Sequence, residues 1–239
     1  MNKYSILIPT YNEKENIGIL VKKISYFLRK NIFEIIVVDD NSNDGTKEIL
    51  KDLRKKNKKF KYFVRQNNDR DLSKSIIFGI KKTNYENIIV MDGDLQHNPK
   101  YLPKICEIFS RKRLDFLVCT RNFNKRHGLS LVRYYSSKFL IMVINILLGK
   151  KVSDPMSGFF IFKKNFFNVN KKNIYKKGFK ILLSLIYSTK KKLRIYEQKI
   201  VFEKRFNNKS KMNFNVLRHI IFSLFYYLTL KIFNVDFIE

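Results

Sequence analysis

The run Ile88-Ile89-Val90-Met91 reads as a buried strand, and it ends directly in Asp92-Gly93-Asp94, with Gln96 and His97 just beyond. Paired acids at the end of a buried strand need compensating charge or hydrogen bonds. Two carboxylates and a carboxamide are hard oxygen ligands. They suit Mg²⁺ or Mn²⁺, ions that keep several waters and take further ligands from substrate phosphates. Gly93 permits a tight turn or close approach of the backbone to a ligand. The same residues could equally close the strand as a solvated acidic turn, and the short motif alone does not separate the two readings. His97 is a further candidate ligand, although a carboxylate site of this type does not need it.

The elements that must position this turn repeat as strand, then helix. Tyr4–Ile8 reads as a strand ending in Pro9-Thr10-Tyr11-Asn12-Glu13, followed by a helix from Asn16 with Ile17, Leu20, Val21, Ile24, Phe27 and Leu28 on one face. Glu34–Val38 is a strand ending in Asp39-Asp40-Asn41-Ser42-Asn43-Asp44-Gly45-Thr46. A helix through about Lys56, a strand near Phe60–Val64 and a helix over Leu72–Lys82 lead to Asn87–Met91. Such βαβ units build a mainly parallel sheet, whose ligands sit beyond the carboxyl ends of the strands. Three chemically loaded turns therefore converge on one edge, which favours the ligand-site reading of Asp92-Gly93-Asp94. Asp39 reads as a cap for its own turn, and Asp44-Gly45-Thr46 as turn and N-cap chemistry. Neither a G-x-G-x-x-G helix start nor a Walker loop is present, which disfavours a nicotinamide oxidoreductase or a P-loop enzyme.

Beyond the turn, Pro99–Arg111 reads as a helix with proline in its first turn. Leu114–Cys119 is a strand ending in Thr120-Arg121, followed by a basic loop with Arg126, His127 and Arg133. Tyr134–Leu148 is a helix with almost no polar face, suited to the core or to a membrane surface. Asp154-Pro155-Met156-Ser157-Gly158-Phe159 reads as a turn feeding a short strand, with Asp154 either orienting a loop or opening the turn. Gly178–Thr189 is expected as a helix and Leu193–Phe202 as a strand. Glu203 and Lys204 are expected to face solvent. Phe214–Phe233, apolar and aromatic with Arg218 and Lys231, suits an interfacial helix. Neither apolar run, Phe139–Leu148 or Ile220–Phe233, reaches the ~20 residues of a transmembrane span, and the N-terminus runs straight into a strand with no signal peptide. Cys106 and Cys119 have no metal spacing and read as core residues.

With 239 residues and 45% hydrophobic residues the chain can bury a large core. Its net charge of +29 points to an anionic partner: nucleic acid, an anionic membrane surface or a phosphorylated substrate. Nucleic acid is the poorest fit, because carboxylates at three strand ends would repel its backbone.

The chain resembles the inverting glycosyltransferases of family 2, and within them the polyprenyl-phosphate mannose synthases. The resemblance rests on Ile8–Glu13, Val37–Thr46, Met91–Pro99, Asp154–Phe159, Gly178–Leu183, and Arg205 with Ser210-Lys211, in that order. It implies a GT-A fold, an α/β nucleotide-diphospho-sugar transferase with a Rossmann-like, mainly parallel sheet. Residues 1–211 would form the catalytic domain and 212–239 an apolar membrane-interface segment. By position, Pro9, Tyr11, Glu13, the Val38 backbone and Asp40 would hold the donor nucleoside. Asp92, Gly93, Asp94 and Gln96 would hold the diphosphate, with Asp92, Asp94 and Gln96 as ligands of Mg²⁺ or Mn²⁺. Arg121, Arg205 and Lys211 would contact donor or acceptor phosphates, and Arg121, Arg133 and Ser137 the acceptor phosphate. Asp94, Arg121 and Arg205 are the expected catalytic residues. Asn208 departs from the glycine of several relatives.

The expected reaction is transfer of mannose from GDP-mannose to a polyprenyl phosphate with inversion. The alternative is glucose or an amino-arabinose-type sugar from a UDP donor. The expected partners are a nucleotide-sugar, a polyprenyl phosphate and a membrane surface, with no nucleic acid. Some relatives carry transmembrane hairpins without counterpart in these residues, which adds the expectation of a membrane-embedded partner protein. The expected location is peripheral or shallowly embedded at the cytoplasmic face of a membrane.

Overall fold

The computed structural model describes residues 2–66, 70–121, 131–203 and 214–232. The strands are β1 (Lys3–Thr10), β2 (Ile32–Asp39), β3 (Phe60–Val64), β4 (Asn87–Val90), β5 (Phe116–Arg121), β6 (Phe160–Lys163) and β7 (Ile195–Ile200). They form one sheet in the order β3-β2-β1-β4-β6-β5-β7. The helices are α1 (Lys14–Phe27), α2 (Thr46–Lys56), α3 (Leu72–Lys82), α4 (Leu102–Arg111), α5 (Leu131–Leu148), α6 (Lys164–Asn170), α7 (Ile181–Tyr187) and α8 (Phe214–Ile232).

The pairings β1–β2, β1–β4, β2–β3 and β5–β7 are parallel, whereas β6 runs antiparallel to both β4 and β5. The sheet is therefore mainly parallel, as its βαβ rhythm predicts. The reversal of β6 has a consequence for the site. It brings the start of β6, and with it the turn Asp154–Phe159, to the edge where the other strands finish. The chain winds outward from β1 to β2 and β3, then returns to place β4 on the other side of β1. The crevice between the ends of β1 and β4 is thus a topological switch point, where open α/β sheets bind ligands.

Alternation along the buried strands sends side chains to two cores. Ile6, Ile8, Val37 and Ile89 pack with α1 and α4, and Leu7, Val38, Ile88 and Val90 with α3, α5, α7 and α8. The α1 face predicted from its spacing is buried at Ile17, Leu20, Val21 and Ile24. α3 starts at Asp71, whose carboxylate accepts the Lys74 N–H at 3.0 Å. A single 3₁₀ turn, Pro99–Tyr101, precedes α4 within the helix expected over Pro99–Arg111.

Two elements differ from expectation. α7 begins at Ile181 rather than Gly178, because Gly178 is left-handed (φ +97°). Its N–H donates to Asp71 Oδ2 at 2.7 Å, and its carbonyl accepts from Ser73 N–H at 2.8 Å. Tertiary contacts with the start of α3 hold it out of the helix. The short helix α6 has no clear signal in Lys164–Asn170, where only Phe167 is buried.

Gly79 lets α3 lie close on the sheet. A Cβ there would come within 2.2 Å of Leu7 Cδ1 and 3.0 Å of Val38 Cγ2, and both side chains are fully buried. Gly79→Val overpacks this contact and should lower the unfolding free energy by about 1–3 kcal/mol, measured by urea denaturation.

Candidate active site

The loops after β1 and β2 are joined by their own polar groups. Asp40 N–H donates to the Thr10 carbonyl at 2.8 Å, Asn12 N–H to Ser42 Oγ at 2.8 Å, and Glu13 N–H to Thr46 Oγ1 at 3.0 Å. Asn12 (φ +51°) and Asn41 (φ +60°) take the left-handed conformation that asparagine tolerates. Asp39, fully buried, accepts from the Ser42 N–H and hydroxyl and caps its turn as expected. Asp44 accepts from Thr46 N–H at 3.0 Å within its turn, as expected, and from Lys14 N–H at 3.2 Å, whereas the N-cap of α2 is Gly45, with no side-chain cap bond. Glu13 is buried, and its carboxylate accepts from Asn16 Nδ2 at 2.7 Å. Pro9 and Val38 are register partners at the ends of β1 and β2, and Val38 also pairs with Phe63.

Asp40 has partners that its local sequence does not announce. Arg65, just past β3, donates through Nη1 to Asp40 Oδ1 at 2.7 Å, to the Asp71 carbonyl at 3.1 Å and to Ser75 Oγ at 2.9 Å. Asp71 N–H donates to Asp40 Oδ2 at 2.8 Å. Both partners of the ion pair are buried. Burial raises the Asp40 carboxyl above its usual range, while the Asp71 N–H and the Arg65 guanidinium pull it down. The available signal for Arg65 was topological: a cation at the end of a parallel strand beside an acidic strand end. Arg70, also absent from the sequence reading, places its guanidinium 4.1 Å from the centroid of the Tyr11 ring.

The Asp92-Gly93-Asp94 turn lies beside these loops. A Cβ on Gly93 would sit 3.5 Å from Glu13 Cγ and 3.6 Å from Thr10 Oγ1, so the ends of β1 and β4 do converge. Asp94 is buried and accepts the Gln96 N–H at 3.2 Å. Leu95 takes φ +61°, a strained conformation for a bulky residue in the middle of the turn. Gln96 Nε2 donates to the Glu203 carbonyl at 3.3 Å, and Glu203 N–H donates back to the Gln96 carbonyl at 3.0 Å. Glu203 does not simply face solvent, as expected from sequence. It is half-buried, and its Oε1 accepts from Asn98 Nδ2 at 2.5 Å.

His97 is a brace for the turn. Its ring is buried, stacked on Phe159 and edge-on to Phe202, and its Nδ1 accepts the Asp92 N–H at 3.0 Å. The Asp92 side chain keeps 35% exposure, and His97 Nε2 lies 3.8 Å from its Oδ2. Among the described residues none donates a hydrogen bond to that carboxylate. An acid so placed, next to the buried Asp94, fits a divalent cation of the Mg²⁺ type, which needs only one or two carboxylates beside substrate phosphate. Among the described residues no group of three His, Cys, Asp or Glu side chains forms an all-protein cage.

On the other side of β4, Arg121 Nε donates to Asp154 Oδ2 at 3.1 Å, and its guanidinium lies 5.7 Å from the Phe202 ring centroid. Asp154 is fully buried and also accepts the Met156 N–H at 3.2 Å. It therefore both orients Arg121 and shapes its own turn. Ser137 stands one turn beyond Arg133 on α5, and the Arg133 side chain lies outside the described residues. Arg126, His127, Lys204, Arg205, Asn208, Ser210 and Lys211 also lie outside them. Cys106 and Cys119 are buried free thiols, with burial raising the Cys106 thiol to about 12.

The sequence-family model described as glycosyl transferase family 2 matches residues 5–169. The chain belongs to this family. Among curated relatives of this family 2 chain, the dolichol-phosphate mannosyltransferase of Pyrococcus furiosus is 34% identical over 91% of this chain and 62% of its own length. The protein of the same name from Saccharomyces cerevisiae is 33% identical over 77% of this chain and 70% of its own. The chain thus spans somewhat under two thirds of the archaeal relative. Among solved structures, glucosyl-3-phosphoglycerate synthase from Mycobacterium tuberculosis superposes with a TM-score of 0.73 at 16% identity, covering 95% of this chain and 80% of that one. A complex of that synthase with Mn²⁺, UDP-glucose and phosphoglyceric acid gives a TM-score of 0.71 at 15% identity. The fold is GT-A-like, as the family 2 motifs imply.

The buried Arg65–Asp40 pair makes a direct test of how the ends of β2 and β3 are held together. Arg65→Met leaves Asp40 buried without its cation and should cost about 3–5 kcal/mol of stability. Adding Asp40→Asn should recover part of that loss. Chemical denaturation of the two variants checks both.

Proposed function

We propose that this chain transfers a mannosyl residue from GDP-mannose to a polyprenyl phosphate, with inversion at the anomeric carbon. The relatives' shared name supports the sugar and the lipid acceptor. The observation that carries the reading is the shared position of two kinds of group at one sheet edge. Asp92, Asp94 and Gln96 stand on one side of the β4 end, and Arg121, fixed by Asp154, stands on the other.

In this reading Pro9, Tyr11, Glu13, the Val38 backbone and Asp40 hold the nucleoside. A divalent ion held by Asp92, Asp94 and Gln96 would supply positive charge to the leaving diphosphate. Arg121, and by their motif positions Arg205 and Lys211, add positive charge toward the two phosphates, which offsets their repulsion. An acceptor oxygen of the phosphate monoester, already anionic at neutral pH, forms the new bond to the anomeric carbon. The bond from that carbon to the donor diphosphate breaks, and the electron pair leaves with it. No strong general base is required, which suits a site whose buried histidine serves as a brace. Arg133 and Ser137 assist at the acceptor phosphate.

The lipid part of the reading rests on α5 and α8, which pack on each other. Ile141, Ile144, Ile220 and Leu224 point into the core, while Phe139, Met142, Ile146, Phe222 and Phe225 are exposed. Among the described residues no helix is long and apolar enough to cross a membrane. Residues 1–211 are the catalytic part, and in the apolar segment 212–239 the helix α8 lies with α5 at the cytoplasmic surface of a membrane. There the basic surface adds about 1 kcal/mol per Lys or Arg near anionic headgroups. A membrane-embedded partner protein would complete the assembly.

The test is transfer of labelled sugar into the organic phase from a panel of nucleotide-sugars, with polyprenyl phosphate and Mg²⁺ or Mn²⁺. GDP-mannose should give the lipid product, and Asp94→Ala should reduce its rate by at least about 10²-fold. Product from a UDP-sugar and none from GDP-mannose would overturn the assignment of the donor.

A further inference from the structure

Gly158 is placed where a side chain would collide with the functional turn. A Cβ built on it would lie 2.5 Å from Asp92 Oδ2, 2.8 Å from Oδ1 and 2.9 Å from Cγ. Backbone conformation does not explain a glycine here: among the described residues the glycines with positive φ are Gly45, Gly149 and Gly178. What position 158 supplies is space.

The residues around Gly158 fix it at that spot. Ser157 Oγ donates to the Cys119 carbonyl at 2.6 Å, tying the turn to β5. Phe159, the next residue, is fully buried and stacks on His97, with 5.2 Å between ring centroids. His97 in turn accepts the Asp92 N–H. That bond leaves Nδ1 without a proton and puts the neutral ring's proton on Nε2, the atom 3.8 Å from Asp92 Oδ2. The backbone of Asp92 is thus braced through His97 and Phe159, and its carboxylate lies where a side chain at 158 would stand.

We propose that Gly158 is a positioning residue, whose missing side chain forms the slot that holds the Asp92 carboxylate in its ligating position. The inference rests on the reading of Asp92 as a metal ligand given above. It adds that the turn Asp154–Phe159 serves both sides of the reaction. Asp154 orients Arg121, and Gly158 places Asp92. A methyl group at 158 must displace the carboxylate, because the flanking residues are anchored and the end of the Asp92 side chain is the part free to move.

Mn²⁺ binding followed by electron paramagnetic resonance, with GDP present, tests this without turnover. Gly158→Ala should weaken Mn²⁺ binding by about 10–100-fold, the range for residues that orient metal ligands. Equal Mn²⁺ affinity in Gly158→Ala and wild type would overturn the inference and leave the proposed reaction standing. Failure of the wild type to bind Mn²⁺ would overturn the metal reading itself, and this inference with it. Thermal melting without metal gives an independent arm. Gly158→Ala should lower the midpoint by about 2–4 °C in the wild-type background and leave it unchanged in the Asp92→Ala background. An equal drop in both backgrounds would overturn the proposal. If Gly158→Ala does not fold, recovery of folding in the Asp92→Ala, Gly158→Ala double variant supports it, and failure of both overturns it.

Discussion

The structure depends on the gathering of buried carboxylates at one edge of one sheet. Asp39, Asp40, Asp94 and Asp154 are all buried there, and a buried charge is costly unless paired and hydrogen-bonded. The molecule answers most of them with partners from within the protein. Asp39 takes the Ser42 N–H and hydroxyl, Asp40 takes Arg65 and the Asp71 N–H, and Asp154 takes Arg121 and the Met156 N–H. Asp92 is treated differently. It is the more exposed acid, set in a slot of backbone and braced from behind by a histidine. The fold thus pairs the buried acids within the protein and leaves the Asp92 carboxylate the more exposed, where the proposed cation would bind.

Topology brings these groups together. The parallel strands deliver four loaded ends to one edge, and the single antiparallel strand, β6, adds a fifth segment by its beginning. Without that reversal, the turn Asp154–Phe159 would lie at the opposite edge, away from both Asp92 and Arg121. The reversed strand therefore links the Asp92 side of the crevice to the Arg121 side.

Much of this was legible in the chain. Helical spacing marked α1, apolar runs marked the strands, and the polar turns at their ends marked the edge. What escaped the sequence reading depends on distant pairs. Arg65 is one of many basic residues until β3 sets it beside Asp40, and Glu203 looks solvated until it pairs with the backbone of Gln96. Gly178 reads as a helix start until Asp71 and Ser73 hold it left-handed. In each case the local pattern was compatible with two outcomes, and a contact across the chain selected one. His97, which a carboxylate site does not need as a ligand, has a buried, stacked ring that holds the Asp92 backbone.

The strong positive charge and the apolar outer faces of α5 and α8 are both consistent with the anionic lipid acceptor of the proposed reaction. Yet the central claim concerns the edge itself: that Asp92 and Asp94 bind a nucleoside diphosphate through a divalent ion. Calorimetric titration of GDP into the purified protein, with and without Mn²⁺, tests it most directly. The account predicts binding that requires the cation and is lost in Asp94→Ala. GDP binding of equal strength without the cation, or undiminished in Asp94→Ala, would contradict it.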